Sequence, residues 1–164
     1  MIVSLTSLSE LPNVPAVYAM YGGRGKGLYV AYVGIADRLK RRVIQHLITR
    51  DSSVATGTSA TGLNPDYVTE VRWWEHPRFT HRHVLEAAEF VAFDVLNPIL
   101  RSRRKMSKRA KRLYDNENFH EETRSLLLSQ PKGRLVVQSF QDLVTKITEL
   151  DRRVTQLEGS SRKP

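Results

Sequence analysis

Five residues stand at spacings suited to phosphate chemistry. Tyr18 closes the tripeptide Ala16-Val17-Tyr18, Tyr32 opens Tyr32-Val33-Gly34, and Arg42 and His46 follow four residues apart. Glu89 comes 43 residues after His46, inside an otherwise apolar helical pattern. A guanidinium can neutralise a phosphate, a phenol or imidazole can move a proton, and a carboxylate can hold a divalent cation. The set suits metal-assisted cleavage of a phosphodiester.

These side chains need elements to hold them. Residues 17–21 and 28–33 are short runs rich in Val and Tyr, joined by Gly22, Gly23, Gly25 and Gly27, which reads as a β-hairpin. The glycine-rich joint is a turn rather than a phosphate-binding loop, because Lys26 is followed by Gly27 and a strand instead of Ser or Thr and a helix. Asp37 is the expected N-cap of a helix over 38–49, where Leu39, Val43 and Leu47 form an apolar stripe. Arg38, Arg42 and His46 form a second stripe beside it, which puts Arg42 and His46 on one face. Residues 51–66 read as a long loop and 67–75 as a third strand, on which Trp73 and Trp74 point to opposite faces, one inward and one outward. A second helix spans 80–96, with Leu85, Ala88, Ala92, Val95 and Leu96 clustered and Glu89 at their margin. Glu86 and Asp94 point progressively further away. The fold class is therefore α+β: a small three-stranded antiparallel sheet flanked by helices in the order β-β-α-β-α, then a basic segment and a C-terminal helix. The expected divisions are a domain over 1–100, a basic segment with a helical connector over 101–134, and the C-terminal helix over 135–164.

Charge is concentrated in one place. The 164-residue chain carries a net +9, and residues 101–112 hold eight of its 26 bases and no acid, leaving 18 bases against 17 acids elsewhere. Arg101, Arg103, Arg104, Lys105, Lys108, Arg109, Lys111 and Arg112, with Arg38 on the first helix, are the candidate nucleic-acid contacts. No amphipathic apolar face accompanies the block, which places nucleic acid ahead of a membrane surface as its partner. No apolar run approaches 18 residues and the N-terminus has no basic region before its apolar residues, so no membrane span or signal peptide is expected. The chain has no cysteine, which excludes disulfides and thiolate metal sites. A cytoplasmic or nucleoid-associated location is expected, not a secreted one.

Residues 117–130 read as helical, and Pro131-Lys132-Gly133 as a break. From Phe140 apolar residues fall at 140, 143, 147, 150, 154 and 157, alternating steps of three and four that are the heptad signature. Ser139 with Asp142 would cap the start of that helix and Gly159 would close it. A homodimer through this helix and packing on its own domain both satisfy the pattern.

The arrangement resembles the GIY-YIG nuclease domain. Ala16-Val17-Tyr18 stands for the first motif, Tyr32-Val33-Gly34 for the second, and Arg42 lies ten residues past Tyr32. Glu89 precedes Pro98 by nine positions, as in the family's helix, whereas Glu86 is three residues too early. Two positions depart: Ala16 stands where Gly is usual, and Arg101 where the family usually has Asn. The resemblance covers about residues 12–101.

It implies a divalent-metal-dependent DNA endonuclease, one strand cut per active site, with RNA not excluded as a substrate. Glu89 would hold Mg²⁺, with Mn²⁺ an alternative, and Arg42 would clamp the phosphate. Tyr18 would activate water, as phenolate or by passing its proton to His46, and Tyr32 would orient water or phosphate. Two rival readings use the same residues. One is a catalytically degenerate nucleic-acid-binding module of the same fold, for which Arg101 argues; the other is an assembly adaptor working through the C-terminal helix.

Overall fold

The computed structural model describes residues 2–23, 25–49, 63–101, 105–137 and 140–161, with side chains in the last range described for 147–157. The strands are β1 (Val3–Leu5), β2 (Ala16–Gly22), β3 (Tyr29–Ala36), β4 (Val68–Trp74) and β5 (Gly133–Val136). The helices are α1 (Leu39–Leu47), α2 (Arg82–Leu96), α3 (Lys108–Tyr114), α4 (Glu117–Leu128) and α5 (Phe140–Ser161).

The chain is α+β, but the sheet has five strands rather than the expected three, in the order β1-β5-β4-β2-β3. Strands β2, β3 and β4 are the expected hairpin and third strand, antiparallel throughout. Strand β5 adds antiparallel to β4, and β1 adds parallel to β5, so residues 133–136 are built into the sheet begun by the first hundred. Beyond β3, Ile99 and Leu100 donate to the carbonyls of Val30 and Ala31 at 3.0 and 2.9 Å, covering that edge.

Every residue of β2 is buried, because both faces of the sheet are covered. Val17, Ala19 and Tyr21 face a core shared with Leu85, Ala88 and Ala92 of α2, and with Ala110 of α3 and Phe119 of α4. Tyr18 and Met20 face a second core shared with Leu39, Val43 and Leu47 of α1. A strand buried on both sides reads as a continuous apolar run, as Ala16 to Gly22 does. The same double cover corrects the expectation for the tryptophan pair. Trp73 and Trp74 do point to opposite faces, but neither is outward: they are 2% and 3% exposed, one in each core.

Helix α1 is shorter than expected and Asp37 is not its cap. Arg38 takes the N-cap position without a side-chain cap bond, and Asp37 instead pairs with Arg82 of α2 at 3.1 Å. The first amides of α1, those of Leu39 and Lys40, already donate to the carbonyls of Val14 and Pro12 at 3.0 and 3.1 Å, which leaves them no need of a side-chain cap. Residues 77–80 form a separate turn capped by His76, and α2 starts at Arg82. Asn97 ends α2 in the left-handed conformation, φ 43°, a role that Asn fills at modest cost. Helix α5 runs through Gly159 to Ser161 rather than closing there, and Ser139, its expected cap, lies outside the described residues. Most of the long loop (residues 50–62) and Arg103 and Arg104 also lie outside them. Among the described residues no helix is long and apolar enough to cross a membrane.

Candidate active site and basic cleft

The hairpin register places Tyr18 opposite Gly34, and strand alternation puts Tyr18, Tyr32 and Gly34 on the α1 face. Helix α1 then lowers His46, one turn beyond Arg42, onto the two phenols. The Tyr18 hydroxyl and His46 Nε2 are hydrogen-bonded at 2.7 Å inside the protein. The Tyr32 ring centroid lies 5.3 Å from that of His46 and 6.2 Å from that of Tyr18, closing a triangle of three rings. Gly34 forms its floor: a Cβ there would sit 2.7 Å from the Tyr18 hydroxyl oxygen and 2.9 Å from Cε1 of Tyr32. The Tyr-Val-Gly tripeptide thus has a steric reason for its glycine.

Burial decides how these groups can ionise. Tyr18, Tyr32 and His46 are 0%, 2% and 0% exposed. Loss of solvent, the largest cause, together with the fields of Tyr32 and Glu89, raises the Tyr18 pKa well above its ordinary value. The Arg42 guanidinium opposes this by charge and hydrogen bonding, without reversing it. The neutral phenol is therefore the stable form, and the phenolate the costly one.

The three carboxylates of α2 separate cleanly. Glu86 is bound to Arg82 at 3.3 Å, and Asp94 accepts from the Tyr114 hydroxyl at 2.6 Å. Glu89, at the margin of the apolar cluster of α2, is itself buried, 2% exposed, and its field reaches Tyr18. A carboxylate held there is costly without a compensating cation or donors. A buried carboxylate in a chain without thiolates fits a hard, oxygen-preferring cation such as Mg²⁺. Among the described residues no three His, Asp or Glu side chains group as a ready-made metal cage, so a bound ion would keep most of its water shell.

Arg42 joins this buried cluster to solvent. It is partly buried, donates to Gln45 Oε1 at 3.3 Å, and lines a cleft of about 480 Å³ with Arg38, Arg41, Asp37 and Arg82. Four guanidiniums against one carboxylate make the cleft strongly cationic. Arg41 and Arg82 were not anticipated from sequence. Arg41 falls off the stripe of Arg38, Arg42 and His46, and Arg82 comes from a different helix, which reaches the cleft only once α2 has docked on the sheet.

The expected basic block is divided. Lys108, Arg109, Lys111 and Arg112 lie on α3, all exposed around a buried Ala110, and Lys105 is exposed just before it. Arg101 turns to the end of α2 instead, donating to the Phe93 carbonyl at 3.4 Å and to Asn97 Oδ1 at 3.3 Å. That side chain supports the helix terminus, where a cation also meets the negative end of the helix dipole. Comparison with known proteins yields no match, whether with a protein-family model, a curated protein or a solved structure.

Proposed function

We propose that the chain is a divalent-metal-dependent DNA endonuclease built on a GIY-YIG-like unit. The observation that supports it most directly is the 2.7 Å bond between Tyr18 and His46, with Tyr32 against both rings and Arg42 reaching from them into the cationic cleft. In this reading a phosphate enters the cleft and is clamped by Arg42, while Arg38, Arg41 and Arg82 hold the flanking backbone. With the phenolate disfavoured, Tyr18 acts as a relay: its hydroxyl takes a proton from the attacking water and passes its own to His46 Nε2. Tyr32 fixes the plane of the imidazole and orients the water. Glu89 would hold Mg²⁺ or Mn²⁺, which when bound polarises the phosphoryl group and stabilises the departing oxygen. The exposed bases of α3 add sequence-independent affinity.

The test is cleavage of supercoiled plasmid with Mg²⁺, wild type against Glu89→Gln. Nicking that needs the metal and is lost in the variant, with DNA binding retained, supports the reading. A second reading, a binding module of the same fold without cleavage, draws on a specific observation: Tyr18, Tyr32, His46 and Glu89 are all enclosed, and only Arg42 of the five lines the cleft. Wild-type protein that binds DNA in a salt-sensitive way yet leaves plasmid, branched and single-stranded substrates intact would select it.

A further inference from the structure

The nuclease reading does not use α5, and α5 carries an exposed apolar face. The helix meets the folded unit chiefly at the Pro65–Tyr67 turn. Along it Ile147, Leu150 and Val154 are 64%, 58% and 51% exposed, and Leu157 is exposed on the same face. A 22-residue helix is about 33 Å long and marginal in water without packing for its apolar stripe.

The sequence register along α5 says what fits that face. With Phe140 at heptad position a, the a residues are Phe140, Ile147 and Val154, and the d residues are Leu143, Leu150 and Leu157. β-Branched residues at a, here Ile147 and Val154, with Leu at d favour two strands over three or four. The flanking positions then decide orientation. Lys146 and Arg153 fall at g, Asp151 and Glu158 at e. In a parallel in-register pair, g of one chain meets e of the next heptad in the other, matching Lys146 with Asp151 and Arg153 with Glu158, each twice by symmetry. In an antiparallel pair g meets g and e meets e, so base would face base and acid would face acid.

We propose that α5 is a parallel, two-stranded coiled coil whose partner is a second copy of this chain. The pairing stands independently of the chemistry at Tyr18. It places both folded units at the same end of the coil and leaves both basic clefts on one particle.

Sedimentation equilibrium of the full chain tests it, using two charge variants whose substitutions lie at coil-flanking positions. Lys146→Glu with Arg153→Glu makes every charged e and g position acidic; Asp151→Lys with Glu158→Lys makes every one basic. The expected result is a reversible wild-type dimer, self-association weakened at least roughly tenfold in each variant, and a dimer restored when the two are mixed. Because the chain has no cysteine, Ser161→Cys at the next a position reads orientation directly: oxidation links two copies in a parallel coil. The proposal is overturned if the wild type stays monomeric across the micromolar range. It is also overturned if both charge variants associate like the wild type, or if the dimer forms and Ser161→Cys does not cross-link.

Discussion

Replacing Gly34 by alanine is the sharpest probe of the ring cluster. Gly34 has no left-handed backbone to defend, so the substitution acts only through the added methyl. That carbon would meet the Tyr18 hydroxyl oxygen at 2.7 Å, Tyr18 Cζ at 2.9 Å and Tyr32 Cε1 at 2.9 Å, where ordinary contact begins near 3.4 Å. Neither ring can swing into solvent, because both are enclosed by α1 and the sheet. Relief requires the Tyr18 oxygen to move by about 0.7 Å, which takes its 2.7 Å bond to His46 to the edge of hydrogen-bonding range. Overpacking of this kind costs about 1–3 kcal/mol, and a buried polar pair left poorly matched a further ~1–3 kcal/mol. For a chain of this size, a combined loss of about 2–6 kcal/mol lowers Tm by roughly 4–24 °C. A displacement near 1 Å also costs roughly a hundredfold in rate where the group is catalytic. The assay is thermal unfolding by circular dichroism alongside plasmid nicking, for Gly34→Ala, Tyr18→Phe and the double variant. Removing the hydroxyl removes the closest clash, so the double variant should lose less stability than the sum of the two singles. An unchanged Tm in Gly34→Ala, or strict additivity in the double, refutes the packing described around Tyr18.

Other outcomes follow from the same geometry. The Tyr18 pKa is raised in the folded protein, so its contribution to stability is complete below its ordinary value of 10.0 and is lost as pH rises beyond it. Denaturant titrations from pH 8 upward should show a steeper alkaline loss in wild type than in Tyr18→Phe. Gly133→Ala should destabilise by about 1–3 kcal/mol, since a Cβ there collides with the indole of the buried Trp73, and Trp73→Leu should relieve part of that loss in a double-variant cycle. Arg41→Ala and Arg82→Ala should each flatten the salt dependence of DNA binding by about one unit of slope, measured by fluorescence anisotropy across a salt series. Asn97→Val should cost about 1–2 kcal/mol because a β-branched residue is poorly accommodated at φ 43°, whereas Asn97→Gly should be close to neutral.

The parts of the fold legible in sequence are those whose signal is local. The hairpin was marked by two Val- and Tyr-rich runs around glycines, and α1 by a four-residue stripe through Leu39, Val43 and Leu47. Strands β1 and β5 were not legible, because three or four residues carry no period and their partner lies far along the chain, Val3 opposite Gly133. The burial of both tryptophans has a related cause: alternation assigns faces but not what covers them, and α2 with α3 and α4 covers the second face. At the site, spacing alone brought Tyr18, Tyr32, Arg42 and His46 together, since hairpin register and one helical turn determine their neighbourhood. Spacing could not find Arg82 in the cleft, nor Asp37 bound to it, because that pairing exists only once α2 has docked on the sheet.

The insertion of β5 between β1 and β4 also imposes an order of events on synthesis. Until residue 133 emerges, β4 presents an open row of amides and carbonyls, and β1 has nothing to pair with. The hairpin, α1 and α2 can collapse earlier, because their contacts span shorter stretches of chain. Contacts joining Val3 to Gly133 are among the slowest kind to close. The nascent chain therefore passes through a stage with a bare apolar sheet edge, the form of surface on which chains stick to one another. A ribosome pause before residue 133 would lengthen that exposure, and aggregation during expression would be its visible cost.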